Sequence, residues 1–139
     1  MIRARAALLS LLVLAAFSCS SKPPSSGSRS VAVTLKDFSL QLGTNNGSAG
    51  TVTFNIVNRG PSVHEFLIFR TNLSEDALPI KSARVDEAAP DLELIHKLID
   101  IANAERKHLS IELGAGKYVM ICNIPGHYKA GMHATFTVT

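Results

Sequence analysis

The chain has 139 residues, with 14 Lys and Arg against 11 Asp and Glu, a formal net charge of +3. Arg3 and Arg5 lie in an acid-free N-terminal stretch that reads as an export leader, which leaves 12 basic residues against 11 acidic ones. The basic residues are scattered, so nothing supports nucleic-acid binding, and the length allows one domain beyond the leader.

In chain order, residues 1–18 form the first predicted element, a signal peptide. Ala6 to Phe17 is apolar apart from Ser10, but it is shorter than the roughly 20 residues a spanning helix needs. Ala16-Phe17-Ser18-Cys19 resembles a lipobox. The expectation is a lipoprotein-type signal with cleavage before Cys19, lipid on Cys19, and anchoring to a bacterial membrane facing the periplasm or the cell surface. Simple secretion and an uncleaved anchor are the alternatives. Residues 19–30 hold no large apolar side chain after Cys19 and read as a flexible tether, so the folded domain is expected over residues 31–139.

From Val31 onward the pattern has period two. Val31, Val33 and Leu35 alternate, the phase slips near Lys36-Asp37 as if at a bend or bulge, and Phe38, Leu40 and Leu42 continue it. Residues 43–50 are rich in Gly, Asn and Ser and read as a loop. Val52, Phe54 and Ile56 form the next apolar face. After the Asn58-Arg59-Gly60-Pro61 break, His64, Phe66 and Ile68 share a face. Residues 71–106 are ambiguous: a loop from Leu73 to Pro90, then an irregular strand or a short helix. Leu109, Ile111 and Leu113 precede a Gly114-Ala115-Gly116 turn. Tyr118, Met120 and Cys122 follow on one face, and Ala134, Phe136 and Val138 close the chain. Short strands, frequent turns and no long helix predict an all-β fold, a Greek-key β-sandwich.

The chemistry concentrates in Cys122-Asn-Ile-Pro-Gly-His-Tyr-Lys-Ala-Gly-Met132. Cys122, His127 and Met132 place a thiolate, an imidazole and a thioether on one loop, spaced by five. Two His and one Cys in a trigonal plane with a weak axial Met hold blue copper. The second His must come from elsewhere, and His64 is the candidate. Taken alone, His64 reads as a core histidine, Met132 as a packing residue and Cys122 as an inert buried thiol. Zinc is a further option, although structural zinc seldom uses Met. Cys19 and Cys122 are the only cysteines, and an exported chain that keeps one thiol in its domain points to chemistry at that thiol. His96, His108 and His133 read as surface residues, Tyr118 and Met120 as core, and Tyr128 as either a docking residue or a loop cover.

These residues resemble those of the cupredoxins, the blue-copper family of plastocyanin, azurin and rusticyanin. The run from Cys122 to Met132 matches the Cys–x4–His–x4–Met loop of rusticyanin-like and sulfocyanin-like members. Gly50-Thr-Val-Thr-Phe-Asn-Ile-Val-Asn-Arg-Gly with Val63-His-Glu-Phe resembles the strands that carry the upstream His, and Gly116-Lys-Tyr-Val-Met-Ile-Cys the approach to the Cys. The likeness spans Val31 to Thr139 and is weakest over residues 71–106. It implies one type 1 copper cycling between Cu(I) and Cu(II), held by His64, Cys122, His127 and Met132. It also implies a monomeric one-electron carrier, not an enzyme, that meets a redox protein partner of cytochrome or oxidase type. Copper storage or delivery is the alternative role. His127 is expected to present a solvent-facing edge, framed by Ile124, Pro125, Ala130 and Gly131. Two departures stand out. Glu65 occupies a position where azurin and plastocyanin usually carry Asn, Asp or Ser to lock the Cys loop, and His133-Ala134 stands where many relatives place Gly.

Overall fold

The computed structural model describes residues 29–139. The expected leader (1–18) and the lipid site at Cys19 lie outside them, as does most of the expected tether, whose last two residues begin the first strand. Among the described residues eleven strands follow one another: β1 (Arg29–Lys36), β2 (Ser39–Leu42), β3 (Asn46–Gly47), β4 (Gly50–Asn58), β5 (His64–Arg70), β6 (Ile80–Lys81), β7 (Arg84–Val85), β8 (Glu93–Ile101), β9 (Arg106–Leu113), β10 (Gly116–Ile121) and β11 (His133–Val138). They build a sandwich of two sheets, ordered β2-β1-β4-β9 and β3-β11-β10-β5-β8, with β6-β7 as a separate small hairpin. β1 runs parallel to β4 and β3 parallel to β11, while the other pairs are antiparallel.

Alternation drives this arrangement, because every second side chain of a strand reaches the same face. Val33 and Leu35 of β1, Val52, Phe54 and Ile56 of β4, Phe66 and Ile68 of β5, Met120 of β10 and Phe136 of β11 are all buried between the sheets. Phe54 sits among them, its ring centre 5.8 Å from Phe66 and 5.7 Å from Phe136. Tilted and edge-on contacts of this kind add to the stabilisation that burial itself provides.

Two regions differ from the sequence reading. The phase slip near Lys36-Asp37 is a full reversal: Lys36 pairs with Ser39, so Asp37-Phe38 is a two-residue hairpin turn. Phe38 adopts φ +63° there and is 59 % exposed, although in sequence it keeps step with Leu40. The second difference lies in residues 71–106. No helix forms, and residues 93–101 are the nine-residue edge strand β8, made irregular by register shifts against β5. The preceding segment crosses the outer face of the second sheet. Leu78, Val85, Ala89 and Leu92 cover Leu67, Phe69, Val119 and Ile121 there and form a second apolar cluster. β5 and β10 are therefore buried on both faces, which explains why their sequences are nearly continuous apolar runs.

Candidate metal centre

At one end of the sandwich the start of β5, the end of β10 and the loop before β11 converge. His64 opens β5, Cys122 directly follows β10, and His127 lies midway along the loop. Their donor atoms all lie within 4.8 Å of one another. Cys122 Sγ stands 3.8 Å from His64 Nδ1 and 3.6 Å from His127 Nδ1, and the two imidazole centres are 5.3 Å apart. A metal about 2.0 Å from each nitrogen and about 2.3 Å from sulfur, with 120° between ligands, requires a nitrogen–sulfur separation of about 3.7 Å. Both nitrogen–sulfur separations thus match the spacing that a shared metal would need. Met132 is fully buried in the same cluster as Cys122. Its carbonyl accepts the Cys122 N–H (3.0 Å), and its own N–H donates to the His127 carbonyl (3.1 Å). The backbone therefore ties the thioether residue to two of the other three.

Short-range bonds fold the loop: His127 N–H to Ile124 O, Ala130 N–H to Gly126 O and Gly131 N–H to Tyr128 O. Gly126 (φ +83°) and Gly131 (φ +111°) supply turns that a side chain would strain. The chain segment over the outer face is latched to this loop. Asn123 Oδ1 accepts the Val85 N–H (2.7 Å), and Asn123 Nδ2 donates to Val85 O and Glu87 Oε1. Gly126 N–H reaches Ala83 O, and Leu78 N–H donates to the Tyr128 hydroxyl at 2.8 Å. Tyr128 is thereby a buried loop cover and not a docking residue.

Cys122 accepts the Glu65 N–H at 3.3 Å. Burial raises its thiol pKa above the ordinary value, against the pull of that amide. A metal that displaces the proton relieves this cost, since a coordinated thiol is deprotonated. Burial also lowers the His64 pKa, as does the neighbouring His127, which favours the neutral imidazole that a metal needs. The Glu65 side chain turns away to Arg84 (3.4 Å). The lock on the Cys loop is supplied instead by the Glu65 backbone and by Asn123. His133, expected on the surface, is mostly buried: its ring packs 5.3 Å from Tyr128 and Nδ1 lies 3.6 Å from Glu75 Oε1. Tyr128 of the Cys122–Met132 loop and Glu75 of the covering segment enclose it. His108 is exposed and contacts Asn55, as a surface residue should.

No family model and no curated protein matches the chain. Solved structures do. Dithionite-reduced auracyanin from Roseiflexus castenholzii superposes with a TM-score of 0.61 at 17 % identity, over 81 % of this chain and 98 % of that one. The chain has the cupredoxin fold. Auracyanin B gives a TM-score of 0.54 at 20 % identity, over 80 % of this chain and 88 % of that one. Rusticyanin from Thiobacillus ferrooxidans gives 0.57 at 19 % identity, over 81 % and 79 %. Within this cupredoxin fold, two imidazoles, one thiol and a buried thioether are donors that fit type 1 copper.

Phe38 is the neighbour that sequence reasoning missed. Its ring stands edge-on to His127 at 5.7 Å. His127 is half-buried, and Pro125 and Ala130 are exposed beside it in the loop. Ile124 is half-buried and packs against the core.

Proposed function

We propose that this protein is an exported type 1 copper protein that carries one electron at a time between redox partners, with His64, Cys122, His127 and Met132 as its ligands. The observation that carries the reading is the convergence of His64, Cys122 and His127, with the sulfur 3.8 Å and 3.6 Å from the two imidazole nitrogens. Copper, when bound, supplies a one-electron couple between Cu(I) and Cu(II). The chain supplies a cage fixed by two β-strands and a bonded loop, so little has to rearrange when the charge changes. His64 and Cys122 are buried and His127 is half-buried, which makes His127 the electron port. Phe38, Pro125 and Ala130 around it form a small apolar rim, suited to weak contacts that separate quickly. A single donor set among the described residues favours a carrier over an independent enzyme, and its burial favours retention of copper over its delivery. Lipid anchoring through Cys19 is part of the same proposal.

The deciding experiment is the visible and EPR spectrum of the purified protein after addition of Cu(II). An intense blue or green band with small copper hyperfine splitting, lost in Cys122→Ser, is expected. A pale complex with ordinary splitting would sink the carrier reading.

A further inference from the structure

His64 presents Nδ1 to Cys122 Sγ, so Nε2 faces away from the metal position. That nitrogen is buried, and Asp37 Oδ1 lies 3.2 Å from it. The ring N–H is not aligned on the oxygen, so the pair is a close electrostatic contact and not a full hydrogen bond. Asp37 comes from the opposite sheet, on the β1–β2 hairpin turn. Its carboxylate is itself fixed: Oδ2 accepts the Ser62 hydroxyl at 2.8 Å and Oδ1 the Ser62 N–H at 3.4 Å. Gly60 leaves room for the pair. A Cβ there would lie 2.6 Å from Asp37 Oδ1 and 3.1 Å from His64 Nε2. The Gly60 backbone is held in turn, its N–H by Asn58 and its carbonyl by Asn103. Asp37 thus faces the imidazole nitrogen that points away from Cys122, and Ser62, Asn58 and Asn103 hold Asp37 and the Gly60 turn in place beside it.

Metal-bound imidazoles commonly donate their second N–H to a carboxylate, which fixes the tautomer and makes the ligand more basic. We propose that Asp37 is a positioning residue for the centre: it keeps the His64 proton on Nε2, leaves Nδ1 free for the metal, and biases the site toward the oxidised ion. The bias follows from charge. A carboxylate one imidazole away stabilises Cu(II) more than Cu(I). The inference about oxidation state rests on the copper reading above, whereas the inference about the tautomer does not.

The test uses the full chain in wild-type, Asp37→Asn and Gly60→Ala forms. Asp37→Asn keeps the size and removes the charge. Gly60→Ala keeps both partners and forces them apart, because its Cβ would also lie 2.8 Å from the Asp37 backbone nitrogen and must displace the turn. In Asp37→Asn the intense copper band should persist, because no ligand has changed. The ratio of Cu(II) to Cu(I) affinity should fall about ten-fold, equivalent to a potential about 59 mV higher for one electron. Gly60→Ala should move it the same way. A residue with only a structural role would lower the melting temperature and leave the potential alone. A shift of at least three-fold in this direction supports the proposal, and a smaller or opposite one overturns it. If Asp37→Asn does not fold, Gly60→Ala is read against the same threshold. Nitrogen-15 NMR of the metal-free protein separates this from the copper reading. His64 should carry its proton on Nε2 in the wild type and show a mixed tautomer in Asp37→Asn. An unchanged tautomer would remove the positioning role even in a protein that turns blue.

Discussion

The two halves of the metal centre are built by opposite means. The downstream half, Cys122 to Met132, is almost a closed unit in sequence: its proposed ligands are spaced by five and its turns are held by bonds that span a few residues. The upstream half is assembled from afar. His64 takes its orientation from Asp37 on another sheet and from the Gly60–Ser62 turn, which Asn58 and Asn103 hold in place. Each half has a buried asparagine as its cleat. Asn58 bonds Ser62 O, Ile101 O and Gly60 N–H, and Asn123 bonds both polar groups of Val85 and the Glu87 carboxylate. A ligand set can be compact in sequence, but the machinery that aims it need not be.

Alanine in place of either asparagine tests this contrast. Asn58→Ala should be the more damaging, at about 3 kcal/mol or more, since it strands three backbone groups, two in the Gly60–Ser62 turn and one at Ile101. Chemical denaturation measures it, and a smaller loss than at Asn123 would reverse the comparison. Asn123→Ala should cost about 1–3 kcal/mol. Its damage should be local: the segment around Val85 should exchange its amide protons faster while the sandwich core stays protected. Gly131→Ala probes the point where the halves meet, because its φ is +111° and a Cβ would lie 3.3 Å from the Phe38 carbonyl. It should lower stability by at least about 1 kcal/mol, read as a lower melting temperature. The smallest effect belongs to the turn behind Asn58. Lys107 and the Ala102 N–H hold the Glu105 carboxyl below its ordinary pKa. The folded value lies beneath the unfolded one, so this contribution is present above about pH 4.3 and fades as pH falls through the folded value. Glu105→Gln should be slightly less stable than wild type at pH 7, and the difference should vanish in acid.

The contrast also marks what the sequence could reveal. Cys122, His127 and Met132 stood out as candidates because one loop carries three side chains of ligand type at even spacing, and the fold gathers Cys122 and His127 with His64 and buries Met132 in the same cluster as Cys122. His64 was legible because a strand pattern restarts on it after a Gly-Pro break. The sandwich followed from alternation over β1, β4, β9 and β11. Asp37 was not legible, since its partner lies 27 positions away (37 to 64) and is reached only through a hairpin turn that the pattern disguised as a bulge. In residues 93–101, Ile95 and Ile99 suit a helical stripe while Ile95, Ile99 and Ile101 suit a strand, and the register shifts of β8 blur the choice further. One signal for the covering segment was present in plain sight. Leu67, Phe69, Val119 and Ile121 alternate with the core-facing residues and needed a cover of their own.

The Asp37-Phe38 turn has a consequence for heat resistance. Two-residue hairpin turns favour Asn-Gly or Asp-Gly, because a side chain with positive φ crowds its own backbone. Phenylalanine in this left-handed conformation costs roughly 1–2 kcal/mol. Phe38→Gly should therefore relax the hairpin and raise the melting temperature while stripping the aromatic edge from His127. A laboratory selection for thermal endurance alone would drift toward glycine at position 38 and erode the rim through which partners would meet the centre, a conflict between durability and performance confined to one residue.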